Sequence, residues 1–460
     1  MSNTVDETAA AEAETEATST NNDLVVDDEE PYQQYVYKDV ASNNKDITYT
    51  IRGLVNDDEI HKWSKFCESI FAYKLNPPLA SYFERHYYND PNGIKYGPSL
   101  IRVAIDNDTQ EIVASCRVFV RDISKGGEEQ RNNTNNTNTL RAGGIGEVCT
   151  SNQHRKRGLS KILLLDCIRI MKTTPQLNLQ VSLLHAAPTF FPVYEKAGGY
   201  QNTTSEWSSV QVSYKSEDHH HDHDREQYKY YNIRVAQFPN DTKELQMLHE
   251  KYSVQKFPGC IIRNEEYWNT YISKELDNSL YVLTYNNVVV GWLSIRPRGG
   301  ENTYQLREFG CRTTYDEGVD GKGTSNAELA MEYLFPHAMH QLHPDRSSST
   351  TACCTLILPT FVLDQIKERG TSSSSKKNKK PKLEEESKKR FNVDWSTVKP
   401  ENDLGWMYLS LSEDDDETNE WLDTILVDNK DKKNNNNDKG SSSSHPSRKR
   451  PHLIWPSDSF

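Results

Sequence analysis

The chain has 460 residues, 35% hydrophobic and 26% charged, a length that suits two or three domains. Its formal net charge is −13, and residues 1–30 hold ten acids and no Lys or Arg. That balance argues against a general nucleic-acid binder, since gripping a phosphate backbone needs positive charge, while leaving room for a local basic groove.

Residues 1–45 are acidic and rich in Ala, Thr and Asn, and are expected to be a disordered tail. A strand is predicted around Ile47–Leu54, then a helix over NDDEIHKWSKFCESIF with acids in its first turn. SLIRVAID (99–106) and EIVASCRVFVRD (111–122) read as strands joined by a polar turn. A low-complexity stretch follows as a hairpin or loop insert. GGIGEVCTS (143–151) is a predicted strand, RGLSKILLLDCIRIMK a helix and LQVSLLHAA (179–187) a strand. TFFPVYEKAG is a short helix closed by Gly198 and Gly199, and SEWSSVQVSYK a further strand. This order predicts an α/β (α+β) domain over 46–215, a mixed central sheet flanked by helices.

Residues 216–228 are a His/Asp-rich linker, more plausible as a surface loop than as a metal site because nothing fixes the histidines. A second unit over 229–460 contains a helix around Thr242–Tyr252 and a hairpin over 280–297 turning at Asn286-Asn287. Strands follow at 303–311 and 353–359, with helices SNAELAMEYLFPHAM and TFVLDQIKE. The order repeats that of the first unit, which predicts a fold duplicated in tandem. Inserts at 368–391 and 428–449 are expected to be disordered. GWMYLSL (405–411) and HLIWPSDSF are assigned to the closing strands of the second unit, with a separate third domain as the alternative.

The eight cysteines show no CxxC spacing and sit mostly in apolar stretches, so they are expected to be reduced core residues. No metal site is predicted. The chain lacks a basic-then-apolar N-terminal signal and any run of 18 apolar residues. Neither secretion nor a membrane partner is therefore expected, and the cytoplasm is the default. Basic clusters at Lys376–Lys382 and Lys388–Arg390 leave nuclear import as an alternative.

The chemistry centres on GEVCTSNQHRKRGLSKILLLD. A strand meets a polar turn, then Arg155-Lys156-Arg157-Gly158-Leu159-Ser160-Lys161, then a long helix. A turn at a helix start presents unpaired N–H groups at the positive end of the helix dipole. Gly158 and Ser160 allow close approach, and four cationic side chains surround the turn. The pattern suits a pyrophosphate, yet it is neither a Walker loop nor a dinucleotide fingerprint.

Here the chain resembles the GCN5-related N-acetyltransferases, whose loop has the form Arg/Gln-x-x-Gly-x-Gly/Ala. Arg155-x-x-Gly158-x-Ser160 departs from it only in the final small residue. The resemblance implies an acyl-CoA N-acyltransferase fold, with the backbone of Val148, Cys149 and Thr150 holding pantetheine. It implies that the loop from Arg155 to Lys161 holds the pyrophosphate of acetyl-CoA, and that Tyr194 protonates the leaving thiolate. Glu147, His185 and, by likeness to the enhanced-intracellular-survival type of tandem acetyltransferase, the terminal carboxylate at Phe460 are alternative bases, with Asp458 as a side-chain option. By the same likeness Phe83, Arg85 and His86 belong to an acceptor-side helix, with His185 nearby. Glu308 is expected to face the cleft and attract a cationic amine. The fungal lysine acetyltransferases are similar in general layout. The second unit offers only Gly321-Lys322-Gly323 among acids and is expected not to bind CoA.

The function this implies is transfer of an acetyl group from acetyl-CoA to a primary amine of a small molecule or a protein lysine, at one site per chain. No direct nucleic-acid partner is expected, and a homo-oligomer is left open. The alternatives are a non-catalytic acyl-CoA-binding scaffold and a nuclear protein or histone lysine acetyltransferase.

Overall fold

The structure, a computed structural model, describes residues 34–38, 47–74, 77–127, 138–215, 230–312, 326–344, 351–367, 390–401, 405–412, 414–426 and 452–458. The first half runs β1 (Tyr35–Lys38), β2 (Thr48–Gly53), α1 (Asp57–Phe71), α2 (Ala80–Tyr88), α3 (Pro91–Tyr96), β3 (Ile101–Asp106), β4 (Ile112–Ser124) and β5 (Thr139–Thr150). It continues with α4 (Leu159–Thr173), β6 (Val181–His185), α5 (Phe191–Gly198), β7 (Gln201–Asn202) and β8 (Trp207–Lys215). The second half runs β9 (Tyr231–Val235), α6 (Thr242–His249), α7 (Glu265–Tyr267), α8 (Ser273–Leu276), β10 (Tyr281–Tyr285), β11 (Val288–Pro297) and β12 (Thr303–Cys311). Then come α9 (Asn326–Leu342), β13 (Thr351–Pro359), α10 (Thr360–Lys367), β14 (Phe391–Pro400), β15 (Trp406–Ser410) and α11 (Asp416–Ile425).

Two mixed sheets result, with strand orders β1-β2-β3-β4-β5-β6-β15-β7 and β14-β8-β13-β12-β11-β10-β9. Antiparallel runs of five strands (β1–β5) and of four (β9–β12) each lead to one parallel pair (β5 with β6, β12 with β13), and an antiparallel strand follows. That following strand comes from the other half of the chain. β15 pairs with β6, and β8 pairs with β13 over nine residues.

This corrects the sequence-based division. SEWSSVQVSYK does not close the first unit, and GWMYLSL does not close the second; the two are exchanged. Both strands carry near-continuous buried runs, Trp207–Val210 with Val212 and Tyr214 in β8 and Trp406–Tyr408 in β15. Such runs are equally at home in either sheet, so alternation gave no address. Two further differences concern elements not foreseen. Tyr35–Lys38 lies inside the expected tail yet pairs with β2, and β14 and α11 occupy stretches given no element.

Local chemistry explains much of the rest. Asn56 caps α1 by accepting from the Glu59 N–H, with Asp57, Asp58 and Glu59 in the first turn. Asn286 and Asn287 both take positive φ, 49° and 65°, as a two-residue hairpin turn needs. The eight cysteines form no disulfide, and all except Cys353 are buried. No helix among the described residues is long and apolar enough to cross a membrane.

The segment 452–458 docks back on both halves. Trp455 is fully buried, its indole N–H donating to Ser253 Oγ at 3.1 Å. The His452 ring lies between the Ser205 and Tyr408 hydroxyls at 2.9 and 2.6 Å, against Gly259, where any Cβ would strike it. Because each sheet is completed by the other half, a fragment spanning 46–215 should show no cooperative thermal unfolding. Fragments 34–228 and 229–460 should fold only when co-expressed, and co-purify. A 46–215 fragment that melts cooperatively on its own contradicts the exchange.

Candidate functional site

β5 and β6 pair only from Ala142–Ile145 against Val181–Leu184. Past that point β5 runs on for five residues, while β6 reaches only His185, which is paired with Trp406 of β15. The strands therefore splay. Among the described residues no strand pairs with 146–150 on that side, so backbone N–H and C=O groups of β5 line an open gap. On its other edge β5 carries a bulge: Ser115 faces Cys149 and Arg117 faces Gly146, leaving Glu147 and Val148 opposite Cys116. Glu147 takes φ +55°, unusual for a non-glycine residue, and the bulge re-aims its carboxylate.

The gap leads to the start of α4. Gly158 is its N-cap with φ +78° and ψ 2°, and no side chain caps the turn. The first-turn N–H groups of Leu159, Ser160 and Lys161 point out of the helix end. Lys156 also has positive φ, 62°. Thr150 Oγ1 and Ser160 Oγ lie 2.9 Å apart, Arg155 Nε reaches the Thr150 carbonyl at 3.4 Å, and Arg157 Nη2 the Gln153 carbonyl at 3.4 Å. The Tyr37 hydroxyl donates to the Arg157 carbonyl at 3.1 Å, so β1, taken from the sequence as tail, braces the loop. The helix is pinned to the sheet by a fully buried ion pair, Arg102 Nε to Asp166 Oδ2 at 2.5 Å.

The sequence-predicted residues separate into those brought to this gap and those that are not. Val148 and Thr150 line it through their backbone; the Cys149 thiol is buried beside Cys67 Sγ at 4.0 Å, leaving its backbone. Tyr194, half-buried on α5, packs on the α4–sheet core with its ring edge-on to Tyr200, centroids 6.2 Å apart. His185 lies on the β15 side, its ring edge-on to Trp406 at 4.9 Å and over Gly405.

Phe83, expected to line an acceptor pocket, is instead a core residue 2% exposed, among Trp63, Phe71 and Tyr82. The face of α2 that carries it packs on α1. Glu308, expected to face the cleft, is fully buried and bound to Arg263 at 2.5 Å, with the Trp292 indole N–H at 3.4 Å. Arg263 also holds Asp458 at 2.5 Å, so this carboxylate is matched inside the second unit. Arg85 and His86 instead grip Glu275 of α8, at 2.9 and 3.2 Å. Phe460 and Gly321-Lys322-Gly323 lie outside the described residues, as does the histidine-rich linker.

Glu147 is 5% exposed at its side chain and faces Arg117, whose Nη1 lies 3.5 Å from both carboxylate oxygens. Arg117 is itself buried over the rings of Phe119, Tyr87 and Trp63, and its Nη2 donates to the His86 carbonyl at 3.2 Å. Arg117 was not foreseen; an arginine within a buried β4 run was the only signal. Burial pushes the Glu147 carboxyl up to about 7, Arg117 opposing and Asp90 adding to the rise. A carboxyl poised there can accept a proton from an ammonium group near neutral pH.

The raised value has a consequence for stability. The folded carboxyl keeps its proton to higher pH than the unfolded one. Its contribution is therefore complete below the ordinary value of 4.5 and is lost as pH rises through about 7. Glu147→Gln should remove that dependence, gaining about 3 kcal/mol on the natural protein between pH 4.5 and 8. Thermal melts across that range check it; parallel pH profiles would contradict it.

No family model matches the sequence, and no curated protein matches it. Solved structures are similar. A protein from Enterococcus faecalis V583 described as a probable N-acyltransferase is 11% identical, with 82% of this chain and 72% of that one covered and a TM-score of 0.44. A GCN5-related N-acetyltransferase from Anabaena variabilis is 13% identical over 79% of this chain and 73% of that one, with a TM-score of 0.46. The Saccharomyces cerevisiae N-myristoyltransferase with bound myristoyl-CoA is 12% identical over 69% of this chain and 79% of that one, with a TM-score of 0.44.

Proposed function

We propose that the chain is an acyl-CoA-dependent N-acyltransferase of the GCN5-related type that moves an acetyl group from acetyl-CoA to a primary amine. The observation that carries this reading is the meeting of the β5–β6 splay with the uncapped start of α4. An extended thioester-bearing arm can add to the free edge of β5 by backbone hydrogen bonds, as a further strand would. The same molecule's pyrophosphate then meets the amides at 158–161 and the cations Arg155, Lys156, Arg157 and Lys161.

In this reading Glu147, through its carboxylate, takes a proton from the acceptor ammonium. The freed amine attacks the thioester carbonyl carbon, and the oxyanion that forms is met by a β5 backbone N–H near Val148. Collapse of the tetrahedral intermediate breaks the C–S bond. Tyr194 gives its proton to the departing sulfur, and the second proton on the attacking nitrogen passes back to the phenolate, leaving a neutral amide, CoA and a reprotonated Tyr194. A carboxylate at Phe460 is the competing base. The acceptor is a small molecule or a protein lysine.

Four variants test this. Tyr194→Phe should leave CoA affinity within about twofold and lower kcat by about 100-fold, the scale of a lost general acid; unchanged kcat removes its role. Gly158→Val should abolish CoA binding, because a β-branched residue is strained at φ +78° and covers the amides. For the base, Glu147→Gln should cost at least about 100-fold in kcat and erase the acid limb of the pH profile, while deletion of Phe460 should do neither. The reverse pattern assigns the proton to the chain end.

A further inference from the structure

The seam between α2 and the second sheet holds more positive charge than its one carboxylate can match. Glu275 receives Arg307 at 2.5 Å on one oxygen and Arg85 and His86 at 2.9 and 3.2 Å on the other. Burial depresses His86, its hydrogen bond to Glu275 and that carboxylate's charge opposing the drop. Burial would push the Glu275 carboxyl up; the His86 hydrogen bond, Arg307 and Arg85 outweigh it and hold it at about 2. Arg296, beside Gln305 at 2.9 Å on the same strand pair, adds a third guanidinium. Arg298 adds a fourth. Arg296 is open to solvent on one side. Partial desolvation first, then Arg307 and Arg298, bring it down to about 10, as expected where like charges crowd. Two guanidiniums thus hold one carboxylate, with Arg296 and Arg298 as further like charges nearby, and the buried Nε–H groups of Arg85 and Arg307 have no hydrogen-bond partner.

This excess sits beside the candidate base. The half-buried ring of Tyr82 lies 4.0 Å from that of His86, with the Arg85 guanidinium over it at 5.5 Å. Burial pushes the Tyr82 hydroxyl up, and both Glu275 and Glu147 add to the rise, so the ring stands within the fields of both carboxylates. The His86 backbone carbonyl accepts from the same Arg117 that faces Glu147. Arg117 and His86 thus connect the surroundings of Glu147 to those of Glu275.

Resting on the reading above, we propose that the acceptor is an amino-acid-like molecule, a primary amine that also bears a carboxylate or phosphate, with its anionic oxygens held by the arginines Arg85, Arg307, Arg296 and Arg298 while the amine faces Glu147. Planar guanidiniums suit such oxygens in pairs. The site selects against plain alkylamines, whose ammonium group would meet like charge without a compensating anion.

Calorimetric titration of the full chain with CoA bound tests this on two matched pairs, 6-aminohexanoate against hexylamine and O-phosphoethanolamine against ethanolamine. The anionic member of at least one pair should bind at least about tenfold tighter, and the pair that shows it names carboxylate or phosphate. In the double variant Arg296→Gln/Arg298→Gln that advantage should fall below about threefold. Equal or tighter binding of both neutral amines, no binding by any of the four, or an advantage untouched by the double substitution would overturn the inference. Failure of CoA itself to bind would instead overturn the acyltransferase reading, and titrations on the chain without CoA would still decide this one.

Discussion

Each sheet of this protein is finished by a strand from the other half of the chain, and that exchange fixes everything else in place. β15 lies against β6, and β8 lies against β13. Neither half can bury its sheet face alone, so the two are locked at one relative position by backbone hydrogen bonds and not by a surface contact. The locking continues at the end of β4, where the Ser124 N–H donates to the Cys260 carbonyl and the Gly259 N–H donates to the Ser124 carbonyl, both at 2.9 Å. Segment 452–458 then covers the joint, with Trp455 and Ile454 in the cores of different halves.

The candidate site depends on this rigidity in two ways. Because β15 takes the far edge of β6, β6 is held away from β5 and the gap beyond Ile145 stays open. The bulge at Glu147 and the left-handed turn at Gly158 mark the two ends of that gap, one carrying a carboxyl and the other free amides. Positive φ at Glu147 is a conformation that only a well-determined surrounding sustains. Here the surrounding is Arg117, wedged among aromatic rings from α1, α2 and β4. The seam to the second half places Glu275 and Arg307 opposite Arg85 and His86. Residues from both halves therefore meet at this seam.

Much of this was legible in the sequence. The Arg155–Lys161 loop lies where its composition pointed, at a helix start after a strand. Asn286-Asn287 forms the hairpin turn expected of it, and the pairing of helices and strands repeats in both halves. What was not legible has common physical causes. Strand exchange leaves no local trace, because a buried strand reads the same whichever sheet it joins. The part of Tyr35–Lys38 in bracing the loop is hidden by the acidic stretch around it. Phe83 was given a role on a cleft by likeness to the tandem acetyltransferases and Glu308 by its charge on a predicted strand, whereas packing on α1 and the Arg263 ion pair place both in the interior. Arg117 and Glu275 escaped notice because a charge within an apolar run gains meaning only from the groups that fold opposite it.

The account turns on where CoA binds. A crystal structure of the full chain soaked or grown with acetyl-CoA addresses that directly. The pyrophosphate is predicted against the amides of 158–161, the pantetheine along the free edge of β5 at Val148–Thr150, and the thioester between Glu147 and Tyr194. A nucleotide bound elsewhere, or a β5–β6 gap that stays empty at saturating acetyl-CoA, would contradict it.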